Sequence, residues 1–276
     1  MGNKKKWDIL VLSGDSNDIE ILSSYISEES LGSSNYNSDM QLYYFDIGKR
    51  DLIENILINH IDNFKVDFSW DITEDQDWHL NWKDNFTPIK INQDLLIIPD
   101  WDNNLYNCNN IIKIKPGMAF GTGHHETTFL MLKHLITNIN KRDSVLDLGA
   151  GSGILSIAAY IYGANNITAV EFDDDCKDNF QENMYINNIN ESNIEFLNQD
   201  VLLFSNFDYD IILANINKNI IKDLIPKLKR TKAKILLSGI LETDQVEIES
   251  LLKLHDINLM YKDQYNEWIL MVVKND

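Results

Sequence analysis

Cysteine is nearly absent from this 276-residue chain: Cys108 and Cys176 are the only two, far apart and outside any metal-ligand spacing. That argues against a disulfide framework or a structural zinc site and suits a reducing cytoplasm. Long apolar runs are missing as well. No stretch approaches the ~18 residues that a membrane-spanning helix needs, so no membrane association is expected. The opening MGNKKKWDIL has too short an apolar run for a signal peptide, and Lys6 stands where a myristoylation motif wants Ser or Thr. Positive charge is scarce: 24 Lys and Arg face 43 Asp and Glu, for a net charge of −19. Such a field repels nucleic-acid phosphates, so no direct nucleic-acid binding is expected, and it attracts a basic partner. Surplus acid also simply keeps a protein in solution. Internal repeats and long low-complexity tracts are absent too. What remains is an ordinary globular composition, 44% hydrophobic and 24% charged, at a length that suits one large and one small domain.

The densest pattern is Ser144 to Asp173, SVLDLGAGSGILSIAAYIYGANNITAVEFD. Val145-Leu146 is a short apolar run, followed by Asp147 and the glycines Gly149, Gly151 and Gly153. Apolar residues then recur at helical density from Ile154 to Tyr162, and Gly163 ends the run. A second apolar run, Ile167 to Val170, leads into Glu171. This order predicts one strand–helix–strand unit. Glycines there permit a tight turn and let a ligand approach bare amides at a helix N-terminus. A carboxylate ending the second strand is placed to accept hydrogen bonds from a ribose. A dinucleotide fingerprint would need glycine at Ile154, and no Lys-Ser/Thr pair follows for a P-loop. The bland reading is an ordinary tight turn, which does not by itself require Asp147 and Glu171. D-x-G-x-G-x-G resembles motif one of the class I S-adenosylmethionine-dependent methyltransferases.

A second motif lies just upstream. The predicted strand Ile111–Ile114 is followed by KPGMAFGTGHHETTFLMLKHL, with turn signals at Pro116-Gly117 and Gly121 to Gly123 and a helix from Glu126 to Leu135. This loop can fold over a cofactor and offer hydroxyls from Thr122, Thr127 and Thr128. His124 and His125 invite a metal or acid–base reading, but nothing at a recognisable spacing completes a ligand set, so no metal is expected. The run P-G-M-A-F-G-T-G-H-H-E-T-T, about 20 residues before V-L-D-L-G-A-G-S-G, resembles the ribosomal protein L-eleven methyltransferases, the PrmA family. D-W-x-x-x-W upstream and A-N-I and L-S-G-I downstream also match, so the likeness runs from about Trp78 to the C-terminus.

The resemblance implies a class I methyltransferase Rossmann-like α/β domain with a seven-stranded mixed sheet at residues 87–276. It also implies a small N-terminal α+β (ferredoxin-like) domain at 1–70 that recognises the substrate protein, and a linker helix at 71–86 acting as hinge. It implies transfer of methyl groups from S-adenosylmethionine to lysine side-chain and N-terminal amines of a large-subunit ribosomal protein, in the cytoplasm. Carried over by position, Phe120, Thr128, Gly149, Gly151, Gly153, Glu171 and Asn215 contact the cofactor, and Asn215 and Thr127 face the acceptor amine. The family more usually has Asp at the ribose position than Glu. The same fold acting on another protein or a small amine is the alternative, and a cofactor-binding module without transfer is a further one.

The rest of the chain fits that frame. Strands are predicted at Trp7–Leu12, Gln41–Phe45 and Phe64–Trp70, and helices at Asp18–Ile26 and Arg50–Ile61, with the polar stretch Ser30–Asp39 as a connection. Thr73 and Gln76 have capping-box spacing before a stripe of Trp78, Trp82 and Phe86, which reads first as packing of a connecting helix. Ile194–Leu197 is a strand before Asp200, which either meets an adenine amino group or caps a loop. Tyr209–Leu213 leads into Ala214-Asn215-Ile216, and a strand end is where an open parallel sheet holds ligands. Asn-Ile-Asn-Lys has no stacking aromatic, which weighs against a nucleobase acceptor. Further helices are predicted at Ile220–Leu228 and Thr243–Leu252, and strands at Lys234–Leu237, Ile257–Tyr261 and Trp268–Val273. No general base is evident.

Overall fold

The computed structural model describes residues 6–15, 18–19, 22–23, 25–26, 29–30, 32–37, 40–61, 64–74, 87–116 and 125–275. The chain divides into two compact units, Met1–Phe86 and Thr87–Asp276. Among the described residues no helix is long and apolar enough to cross a membrane.

In the first unit β1 (Lys6–Gly14), β2 (Gly32–Asn37), β3 (Met40–Asp46) and β4 (Val66–Glu74) form an antiparallel sheet in the order β2-β3-β1-β4. Helix α1 (Arg50–Ile58) lies between β3 and β4. This is the split order of a ferredoxin-like sheet. Period-two side chains Leu10 and Leu12 of β1 and Tyr43 and Phe45 of β3 meet Ile53 and Leu57, one turn apart on α1, in a single core with Ile19, Leu22 and Ile26. Two expectations are corrected. Gly32–Asn37 is a strand and not a connection: its Ser and Asn residues have little strand preference, but the open edge of β3 satisfies its backbone groups. Thr73 is no helix cap, because β4 runs on to Glu74 and pairs Thr73 with Trp7. The stripe of Trp78, Trp82 and Phe86 lies outside the described residues.

The second unit starts with a three-stranded sheet, β5 (Ile89–Lys90), β6 (Leu95–Pro99) and β7 (Asn110–Ile114); β5 has no counterpart in the sequence reading. Then follow α2 (Glu126–Asn138), β8 (Ser144–Leu148), α3 (Ile154–Ile161), β9 (Asn166–Glu171), α4 (Asp174–Ile186), β10 (Ile194–Asn198), β11 (Ile211–Asn215), α5 (Lys218–Leu228), β12 (Lys234–Leu241), α6 (Gln245–Leu254), β13 (Ile257–Tyr265) and β14 (Trp268–Asn275). The large sheet has the order β10-β9-β8-β11-β12-β14-β13, parallel except for β14, which is antiparallel to both β12 and β13. Its central strands are apolar on both faces, as strands covered on both sides must be. Val145 and Leu213 point into a core with α2, α3 and α4, while their neighbours Leu146, Ile212 and Ala214 point into a second core with α5 and α6. Strand order reverses between β8 and β11, and the carboxyl ends of those two strands open the crevice that a doubly wound sheet offers a ligand.

Candidate active site

The first wall of the crevice is the turn from β8 into α3. Gly149 has φ 76° and Gly153 φ 81°, left-handed values that disfavour a side chain. A Cβ on Gly149 would collide with Ile216 Cγ2, and one on Gly153 would stand 2.6 Å from the Phe180 ring. The glycines therefore bring the β11–α5 loop and α4 hard against the turn. Gly149 and Gly151 line the crevice; Gly153 does not, and its place is under Phe180. Asp147 lies beneath the turn, fully buried, with Oδ2 accepting from Ser156 Oγ at 2.6 Å. Its Oδ1 has no partner among the described residues, and desolvation pushes its pKa up to about 6 against the lowering effect of Ser156.

Glu171 ends β9 and folds back on the backbone. Oε2 accepts from Gly151 N at 2.9 Å, and Oε1 accepts from Phe172 N at 2.8 Å and Asp173 N at 3.0 Å. The methylene by which Glu exceeds Asp gives the carboxylate the reach to close this ring of amides. Asp200 lines the same crevice and also accepts from Leu202 N at 2.8 Å, so its loop-capping role is real and does not remove it from the site.

The opposite wall is made of side chains. α2 starts at His125, whose ring caps it by accepting from Thr127 N at 3.3 Å and whose Nδ1 stands 2.7 Å from Thr127 Oγ1. Thr127 and Thr128, on the first turn, are 1% and 0% exposed. Asn215, at the end of β11, donates from Nδ2 to Thr128 Oγ1 at 3.4 Å, while its Oδ1 is buried without a partner among the described residues. Trp268 of β14 meets the His125 ring edge-on at 4.9 Å. His125, Thr127, Glu171, Asn215 and Trp268 all line one crevice of about 740 Å³. Thr128 stands behind Asn215. Phe120 and Thr122 lie outside the described residues. Among the described residues no three His, Cys, Asp or Glu side chains gather as a metal site would require.

Sequence reasoning missed two parts of this arrangement. Trp268 reaches the crevice only because β14 inserts antiparallel beside β12. The other part is a row of asparagines along α4 and just past its end. Asn179 Nδ2 donates to Lys115 O at 2.9 Å, and the fully buried Asn183 accepts from Lys115 N at 2.8 Å and donates to Ser152 O at 2.9 Å. Asn187 accepts from Lys113 N and donates to Lys113 O. These amides join the glycine turn to the chain that leads towards α2. The signal was present, since polar amides at i, i+4 and i+8 on one helix face need partners if that face is covered.

Comparisons with known proteins agree with this geometry. A family model described as ribosomal protein L11 methyltransferase (PrmA) matches residues 11–276. The ribosomal protein L11 methyltransferase of Prochlorococcus marinus (strain MIT 9301) is 36% identical over 212 residues, 73% of this chain and 69% of that protein. The protein of that name from Staphylococcus epidermidis is 32% identical over 224 residues, 79% and 72% of the two chains. The crystal structure of a ribosomal protein L11 methylase from Lactobacillus delbrueckii subsp. bulgaricus superposes with a TM-score of 0.64 at 30% identity, covering 68% of this chain and 99% of that one. With the motifs, the strand order and the crevice in agreement, the chain belongs to the ribosomal protein L11 methyltransferase (PrmA) family.

Proposed function

We propose that this chain transfers methyl groups from S-adenosylmethionine to amines of the large-subunit ribosomal protein L11, both lysine side chains and the N-terminal α-amine, in the cytoplasm. The observation that carries this reading is Asn215 Oδ1, a buried acceptor without a partner among the described residues, on a side chain that lines the crevice. Leaving such an oxygen unpaired costs about 1–3 kcal/mol, and an incoming amine N–H satisfies it.

The residues present fit the cofactor. Gly149 and Gly151 leave bare backbone along one wall. Glu171 uses three of its roughly four acceptor positions on backbone amides, which leaves about one for a ribose hydroxyl. Asn215, held from behind by Thr128, completes the cofactor side. When bound, S-adenosylmethionine supplies an activated methyl on a sulfonium. The protein's task is then to hold the amine in line and exclude water. Asn215 orients the amine by accepting one of its N–H bonds, and Thr127 offers a second polar contact. Lysine, at a pKa near 10.4, must first lose a proton.

On this reading the N-terminal unit recognises the basic substrate, and residues 75–86, beyond the end of β4, are the connection. The net charge of −19 draws in a lysine-rich partner and disfavours nucleic acid. Incubation with labelled S-adenosylmethionine and unmodified large-subunit ribosomal proteins, followed by mass mapping, tests the proposal. Label on L11 amines is expected. Label confined to another protein or to a small amine overturns it.

A further inference from the structure

The acceptor's proton needs a destination, and the wall opposite Glu171 contains one. We propose that His125 receives the proton that the substrate amine must lose, relayed through the Thr127 hydroxyl. This rests on the methyl-transfer reading above. The hydrogen bonds of His125 define its tautomer. Thr127 N–H can only donate, and it points at Nδ1 from 3.3 Å. Nδ1 therefore carries a lone pair, the Thr127 hydroxyl at 2.7 Å donates to the same atom, and the ring proton sits on Nε2.

The surroundings keep this ring neutral at pH 7. Burial lowers its pKa below the ordinary 6.5 and outweighs two carboxylates that raise it, Glu126 on the same helix and Glu267 in the β13–β14 turn. Trp268 covers one side of the ring. The other titratable residues of the crevice are Glu171, Asp173, Asp200 and Cys176, and no Lys or Arg is among its described lining residues. His124 lies outside the described residues.

The step balances. An N–H bond of the ammonium breaks and its proton binds Thr127 Oγ1 while the hydroxyl's own proton passes to Nδ1, giving imidazolium and a neutral amine with its lone pair restored. That lone pair would then be free to bond the methyl carbon of a bound methyl donor, whose sulfur would keep the electrons of the broken C–S bond. The imidazolium then returns its proton to water. Each further methylation of the same nitrogen needs the same removal, so one relay serves repeated rounds.

His125→Asn tests the relay, because Asn is a good N-cap and keeps an acceptor for the Thr127 amide but cannot hold a proton. Thr127→Val removes the hydroxyl at nearly constant shape. In wild-type protein kcat/KM should be level from pH 7 to 9. In either variant it should lie about 10²–10³-fold lower at pH 7 and rise about tenfold per pH unit, following the free amine fraction. Cofactor affinity of His125→Asn, measured by titration calorimetry, should stay within about twofold. Ring-nitrogen NMR of the cofactor-free protein should show neutral His125 with the proton on Nε2 at pH 7. Variant profiles parallel to wild type, or a proton on Nδ1 at pH 7, overturn the proposal. Wild-type protein that labels no L11 amine overturns the underlying reading instead, and the NMR result, obtained without substrate, tells the two failures apart.

Discussion

One side of the crevice is backbone and the other is side chain. Between β8 and α3, and along the end of β9, the surface offered to a ligand is a run of amides and bare glycine, braced by a single carboxylate. Across from it, His125, Thr127, Asn215 and Trp268 come from α2, β11 and β14 and meet through side-chain atoms. A backbone wall is specified locally, by glycines and the one carboxylate that braces their amides. A side-chain wall depends on several elements at once, so a single truncation there should be felt in transfer more than in cofactor binding.

Three substitutions sharpen that contrast. The largest effect is expected from Asn215→Ala, which removes the buried acceptor of the side-chain wall. Transfer to L11 should fall by about 10³-fold, roughly 4 kcal/mol of barrier, with a much smaller change in cofactor affinity. Equal losses in both would mean that Asn215 belongs to the donor wall alone, and full-rate transfer would remove it from the mechanism.

Next is Asp147→Asn, beneath the backbone wall. Burial raises the folded carboxyl to about 6 from 3.8, so the native state holds this proton to higher pH than the unfolded chain does. Its contribution is favourable below the unfolded value, is lost as pH rises to about 6, and stays lost above that. At pH 7.5 the amide should stabilise the cofactor-free protein by up to about 3 kcal/mol in urea unfolding, with the gain shrinking towards pH 5. A pH-independent difference would contradict the burial account. The smallest effect is expected from Glu171→Gln, which keeps an acceptor oxygen and loses the charge. Cofactor affinity should weaken about tenfold, ~1.4 kcal/mol, by calorimetry, with the rate at saturating cofactor nearly unchanged.

Legibility followed the same division. The place of Gly149, Gly151 and Glu171 along the crevice is legible because strand, turn, helix and strand follow one another within one stretch, and period and glycine spacing are local signals. Gly153 belongs to the same glycine spacing but stands under Phe180, a partner almost thirty residues away that no local pattern reveals. The polar stretch Ser30–Asp39 reads as a connection because its residues lack strand preference, and only the edge of β3 makes Gly32–Asn37 a strand. For His125 the sequence invites a metal or an acid–base reading, and its Thr127 and Trp268 partners are visible only once α2 and β14 are in place. Asn183 was passed over for the same reason.

By itself the chain's order of residues determined the alternation of apolar runs and turns, and with it the parallel sheet, the glycine wall and the carboxylate at the end of β9. These depend on interactions within a few residues and on a side-chain period that the backbone imposes. The tertiary structure decided which distant groups became neighbours: Asn215 against Thr128, Trp268 against His125, and Asn183 between Lys115 and Ser152. Those distances depend on strand order and helix packing, which are properties of the assembled sheet and not of any one stretch.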